Sequence, residues 1–102
     1  MQTSEFGRFS NPALLILASL AGGEKHGYAM MEDIEATTGV HLGPGTLYGA
    51  ISRLETEGLI EALPADERRR PYRLTRQGSE FLRQYLASLQ KFVSIGFERL
   101  NV

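Results

Sequence analysis

Five of the eleven basic residues of this 102-residue chain, Arg68, Arg69, Arg70, Arg73 and Arg76, fall in one short stretch. Guanidinium groups gathered in this way suit phosphate oxygens, because each planar fork can donate two parallel N–H bonds to one anion. Pro64 and Pro71 bound the stretch, and Arg73 alternates with Tyr72 and Leu74, so the charge should point away from a core. The same residues would also serve as a solubilising loop or a contact for an acidic protein, and Asp66 and Glu67 dilute the local field. Acids concentrate elsewhere, at Glu32, Asp33 and Glu35 and at Glu55, Glu57 and Glu61. A formal net charge of −1 is therefore compatible with one strongly positive edge.

A second group of polar residues follows Gly43 and Pro44. Small side chains at Gly45, Gly49, Ser52 and Thr56 share one face with the longer groups of Thr46, Tyr48 and Arg53 at its edges. Such a face lets a helix backbone come close to the floor of a nucleic-acid groove. Arg53 can bond a guanine edge or a phosphate, Thr46 and Ser52 can bond either, and the Tyr48 hydroxyl suits a phosphate oxygen. An ordinary amphipathic helix with a solvated face explains the pattern equally well. The free amides after Gly43 can hold an anion at the positive end of a helix dipole, although helix capping is the commoner use of such a sequence.

Nothing points to catalysis or to a metal. The chain has no cysteine, and its two histidines, His26 and His41, lie apart without clustered carboxylates in a ligand-like spacing. No phosphate-binding loop, nucleophile elbow or histidine–nucleophile pairing is present. The expectation is a non-enzyme without a cofactor, with His26 touching a phosphate or water at the start of a helix.

These groups need a scaffold, and the spacing of apolar residues supplies one. Asn11-Pro12 is a helix start, with Leu14, Leu17 and Leu20 on its buried side and Gly22 and Gly23 as its stop. A second helix is predicted from Gly27 to Thr38, with Met30, Met31 and Ile34 inward and Gly39 closing it. The third starts near Gly43 and Pro44 and ends before Gly58, with Leu47, Ile51 and Leu54 forming its core stripe. Residues 59–63 and 71–74 then read as two strands of a hairpin with a basic tip. Thr75 caps a final helix running to about Leu100, roughly 40 Å at 1.5 Å per residue.

That last helix carries Leu82, Leu86, Leu89, Val93 and Leu100 at spacings of three and four, broadened by Phe81, Tyr85, Phe92 and Phe97. So much apolar surface on a helix longer than its domain predicts pairing with the same helix of a second chain, through Leu82, Leu86, Leu89, Phe92, Val93, Phe97 and Leu100. Three helices followed by a two-stranded wing is the winged form of helix-turn-helix. The predicted fold is thus mainly α with a small β-hairpin: an arm over residues 1–10, a winged helix-turn-helix over 11–75 and a dimerisation helix over 76–102. The run Ala13 to Ala21 is far short of the roughly 20 residues that span a bilayer, and the amino terminus lacks a signal-peptide core, so a cytoplasmic protein away from membranes is expected.

Four motifs in order, His26-Gly27-Tyr28, Pro44-Gly45-Thr46-Leu47-Tyr48, Leu54-Glu55-Thr56-Glu57-Gly58-Leu59-Ile60 and Tyr72-Arg73-Leu74-Thr75-Arg76-Gln77-Gly78, closely resemble the PadR family. The resemblance runs from about Ala13 to Leu82, and the single last helix is similar to the shorter members. It implies a winged-helix transcriptional regulator, usually a repressor, that dimerises through its carboxy-terminal helices. Tyr28, Thr46, Tyr48 and the basic wing would face double-stranded DNA, Gly45 would permit a tight helix entry, and Leu47, Leu54 and Ile60 would be core.

Some relatives release DNA on meeting planar compounds bound between subunits. Phe92, Phe97 and Tyr85, or Phe6 and Phe9 of the arm, are the residues suited to such an effector, with interface packing as their simpler role. The full set of expected DNA contacts is Tyr28, Gly45, Thr46, Tyr48, Gly49, Ser52, Arg53, Arg68, Arg69, Arg70 and Arg73. The rival expectation is a winged helix that binds a protein partner and no DNA.

Overall fold

The computed structural model describes residues 11–65 and 68–101. Helix α1, Pro12–Ala21, begins where the Asn11 side chain accepts from the Ala13 amide at 2.8 Å, with proline in the first turn. It carries Ile16 and Leu17 into the centre of the core. Strand β1, Lys25–His26, leads into α2, Gly27–Thr38, which ends at Gly39 with a left-handed φ of 77°. Helix α3, Pro44–Thr56, buries Leu47, Ala50, Ile51 and Leu54. Strands β2, Ile60–Ala62, and β3, Pro71–Leu74, form the wing, and α4, Arg76–Leu100, completes the chain.

The helices and both hairpin strands expected from the sequence are present at nearly the expected bounds. A third strand joins them without any signal in the sequence. β1 pairs antiparallel with β3, Lys25 opposite Tyr72 and His26 opposite Pro71, so the sheet order is β1-β3-β2. Two residues are too short for any alternation of side chains to show in sequence. Their effect is to fasten the wing to the start of α2.

The core is one cluster. Met30 and Ile34 from α2, Leu47, Ile51 and Leu54 from α3, Leu59, Ile60 and Tyr72 from the wing base and Leu82 from α4 all pack with α1. Leu82 is only 5% exposed, which corrects its expected place at a dimer interface: the first turns of α4 pack on α1, and Leu82 fills its own domain. Beyond it no described residue of α4 is buried, and the helix extends the molecule to 57 Å in its longest dimension.

The start of α4 is fixed by a small hydrogen-bonded knot. The Thr75 hydroxyl donates to the Gly58 carbonyl at 2.6 Å and accepts from the Gly78 amide at 2.9 Å, while the Thr75 amide donates to the Leu59 carbonyl at 3.1 Å. Gly78 lies directly on the Leu59 backbone, where an added Cβ would come within 2.8 Å of the carbonyl carbon. Gly78→Ala is therefore expected to lower stability by about 3 kcal/mol, at the upper end of overpacking costs because backbone cannot swing aside. In an open helical position the same change would stabilise by roughly 1 kcal/mol, so a thermal midpoint that rises would show that this contact is loose.

Candidate nucleic-acid interface

The wing brings its arginines back to the start of α2. Through the β1–β3 pairing, Arg68, Arg69 and Arg70 lie beside His26, Gly27 and Tyr28, and together with Tyr48 and Tyr72 they line an open cleft of about 340 Å³. These residues belong to separate elements in the sequence, and the fold gathers Tyr28, Tyr48 and three wing arginines at one site. Tyr28 and Tyr48 are 59% and 48% exposed, high for tyrosines in a domain with a formed core, and their rings and hydroxyls are available to a ligand.

Tyr48 reaches this cleft because α2 makes room for it. Its ring lies over Gly27, where an added Cβ would sit 2.7 Å from the ring carbon bearing the hydroxyl. Any side chain at position 27 would push the tyrosine out. The glycine of the first motif and the tyrosine of the second are therefore two halves of one contact, which neither motif discloses alone. Beneath them Tyr72 is 8% exposed, and burial pushes its hydroxyl up from the ordinary 10.0, with the Glu55 charge acting in the same direction. It stays a neutral phenol on the floor of a cationic cleft.

The other expected residues divide between two surroundings. Gly45, Thr46, Gly49 and Ser52 are all exposed on α3, and an added Cβ at Gly45 or Gly49 would meet nothing within 4 Å. These small residues leave the helix face uncovered. Arg53, also exposed, stands in the last turn of α3 and borders a separate groove of about 240 Å³ with Asn11, Leu14, Phe81 and Tyr85. It is not one of the residues lining the wing cleft.

Arg73 differs from the expectation of a free phosphate ligand. Its guanidinium lies opposite Glu61 in the β2–β3 register and donates to that carboxylate at 3.0 Å. Cross-strand opposite charges stabilise a hairpin by up to about 1 kcal/mol, so this arginine first serves the wing itself. Arg76 similarly faces Glu80 one helical turn away at 3.8 Å. Arg68, Arg69 and Arg70 have no ion pair to a described acid. Phe6, Phe9, Asp66 and Glu67 lie outside the described residues.

His26 has a role that the sequence discloses only in part. Its Nδ1 accepts from the Ala29 amide at 3.3 Å and so caps α2, while Nε2 lies 3.4 Å from an Arg69 guanidinium nitrogen. The cap is legible only as a polar residue before Gly27, since histidine is not among the usual capping residues. His41 is engaged elsewhere, with Glu35 at 3.0 Å on the exposed end of α2. Among the described residues there is no group of three or more His, Cys, Asp or Glu able to hold a metal ion, and no helix is long and apolar enough to cross a membrane.

The exposed part of α4 is apolar in a continuous stripe. Leu86, Leu89 and Val93 are 39–50% exposed, and Phe92, Phe97 and Leu100 more so, up to 80% for Leu100. Phe81 and Tyr85 stack in a tilted pair with ring centres 6.0 Å apart and, with Gln84, Ser88 and Leu89, border an apolar depression of about 410 Å³.

Known proteins resemble this chain in sequence and in fold. Over 91 residues the chain is 41% identical to an uncharacterized 37.1 kDa protein in transposon TN4556 of Streptomyces fradiae, a match that covers 89% of this chain and 26% of that protein. The chain thus spans about a quarter of the length of that curated relative. A transcriptional regulator from Clostridium thermocellum has a solved structure that superposes with a TM-score of 0.77 at 25% identity, covering 96% of each chain. A PadR family transcriptional regulator from Eggerthella lenta gives a TM-score of 0.74 at 27% identity over 86% of this chain and 80% of its own. The sequence model of the transcriptional regulator PadR-like family matches residues 16–84, which include all four sequence motifs, α2, α3, the wing and the knot at Thr75. The chain belongs to the PadR-like family of transcriptional regulators.

Proposed function

We propose that the protein is a homodimeric, sequence-specific repressor that acts in the cytoplasm and reads a palindromic operator with α3 and the basic wing. The observation that carries this reading is the cleft joining the wing arginines to Tyr28 and Tyr48, next to the uncovered small-residue face of α3. In this docking α3 enters the major groove, Gly45, Thr46, Gly49 and Ser52 face its floor, and Arg68, Arg69 and Arg70 neutralise flanking phosphates. Two copies joined through the outer part of α4 present two such helices. A separation of roughly 34 Å, one DNA turn, would make the operator an inverted repeat. Phe92, Phe97 and Tyr85 serve as packing surface between the copies, and a planar effector would have to enter among them.

Arg53 is the residue expected to read a base from the end of α3. Arg53→Ala should weaken operator binding by ~1–3 kcal/mol, the value of a bidentate guanine contact, and leave binding to random duplex nearly unchanged. Parallel titrations of operator and random DNA check this. An equal loss on both would assign Arg53 to a phosphate.

A further inference from the structure

In the wing cleft His26 Nε2 and an Arg69 guanidinium nitrogen face one another at 3.4 Å. A neutral imidazole has one ring nitrogen that accepts and one that donates. The His26 Nδ1 lone pair is used by the Ala29 amide, so the hydrogen resides on Nε2. That nitrogen faces the Arg69 guanidinium at 3.4 Å, and a guanidinium only donates. Neither N–H satisfies the other.

The surroundings favour an anion between them. Arg68 and Arg70 line the same cleft with the hydroxyl-bearing Tyr28 and Tyr48, and none of the described residues lining it is an acid. Position is fixed from both sides: His26 is held by its cap and by pairing opposite Pro71, on the strand that returns from the arginines. An oxygen that accepts from both Nε2–H and Arg69 would join α2 to the wing.

We propose that His26 and Arg69 form a two-donor clamp for one phosphate of the DNA backbone, which locks the wing in its bound position. The clamp rests on the reading of the chain as a DNA-binding regulator and adds to it a residue outside α3 and the wing. His26 is on this account a phosphate ligand and a cap at once. Asparagine can replace the cap, since its side chain also accepts from the first turn, but it has no second ring nitrogen to reach the phosphate.

The test uses the full chain, a random-sequence duplex and a salt series. His26→Asn is expected to keep the thermal midpoint and to bind the duplex about tenfold more weakly with little change in salt slope, because a neutral imidazole releases no counterion, whereas Arg69→Ala should lower the slope by about 0.9 per protomer, the value of one phosphate no longer neutralised. Arg69→Ala should weaken binding too, and the double variant should lose less than the sum of the singles, because both groups hold the same oxygen. In wild-type protein labelled with ¹⁵N at histidine, the Nε2 signal should be the protonated one and should move when duplex is added, with Nδ1 little changed.

A hydrogen on Nδ1, or an unchanged duplex affinity in His26→Asn while wild type binds the duplex, overturns the clamp and leaves the DNA reading standing. Inorganic phosphate that saturates the Nε2 shift at micromolar concentration, with no response to duplex, makes this a small-phosphate site and overturns it as well. A polyglutamate peptide that moves the signal when duplex does not would likewise overturn the clamp, in favour of an acidic protein partner. A wild-type dimer that binds no duplex at all overturns the function proposed above along with the clamp.

Discussion

Leu86→Glu together with Leu89→Glu is expected to give a folded monomer whose affinity for its operator is lower by about 10²- to 10⁴-fold. Both side chains are exposed in the single chain, at 48% and 39%, so charge there costs the domain little. In a dimer they would be in the middle of the α4 stripe between Leu82, which is buried in its own core, and Phe92, which is 72% exposed. Four glutamates meeting in an apolar seam would be without partners, which a helix pair of this size cannot tolerate. The loss in affinity follows because a dimer binds its second half-site at the high effective concentration set by the first. Light scattering reports the mass and circular dichroism the fold. A double variant that remains dimeric would place the interface elsewhere, whereas Leu82→Glu should unfold the domain whatever the oligomeric state.

Charge reversal in the wing should have an effect of similar size by a different route. Arg69→Glu with Arg70→Glu reverses two charges per protomer in a cleft that holds Arg68, Tyr28 and Tyr48, and it replaces phosphate attraction by repulsion. Loss of several phosphate contacts in each half of the complex is worth on the order of a thousandfold at near-physiological salt, with a much shallower salt dependence in what remains. Both arginines are exposed, so stability should hardly change. Titration of duplex DNA at several salt concentrations checks the result. Retention of DNA affinity would remove the wing from the interface, and retention of a protein partner by a form that never bound DNA would favour the protein-binding winged helix.

Much of this architecture is visible in the residues because local signals and the fold agree. Asn11-Pro12, Gly39, Gly43-Pro44 and Thr75 mark helix ends by capping chemistry that acts within a few residues. The features that are not visible depend on distant approach. Strand β1 exists because β3 passes beside it, and Gly27 is needed because the Tyr48 ring lies on it. Gly78 reads as a weak point in a helix until the Leu59 backbone is seen against it.

The same limit explains the site residues whose role differs from expectation. Leu82 fits the outer stripe of α4 by spacing alone, yet the helix meets α1 before it leaves the domain. Arg73 belongs to the basic stretch in sequence, and only the hairpin register reveals Glu61 as its partner. His26 stands outside every periodic pattern. Its two nitrogens acquire distinct tasks from the α2 amides on one side and the wing on the other.

Whether a dimer reads a palindromic sequence while anchored on phosphates is tested most directly by selecting bound sequences from a random double-stranded pool at near-physiological salt. The winner is then titrated across a salt series. The expected result is enrichment of an inverted repeat with half-sites about one turn apart and a steep fall in affinity as salt rises. A pool that enriches nothing, with the protein folded and dimeric, would contradict it.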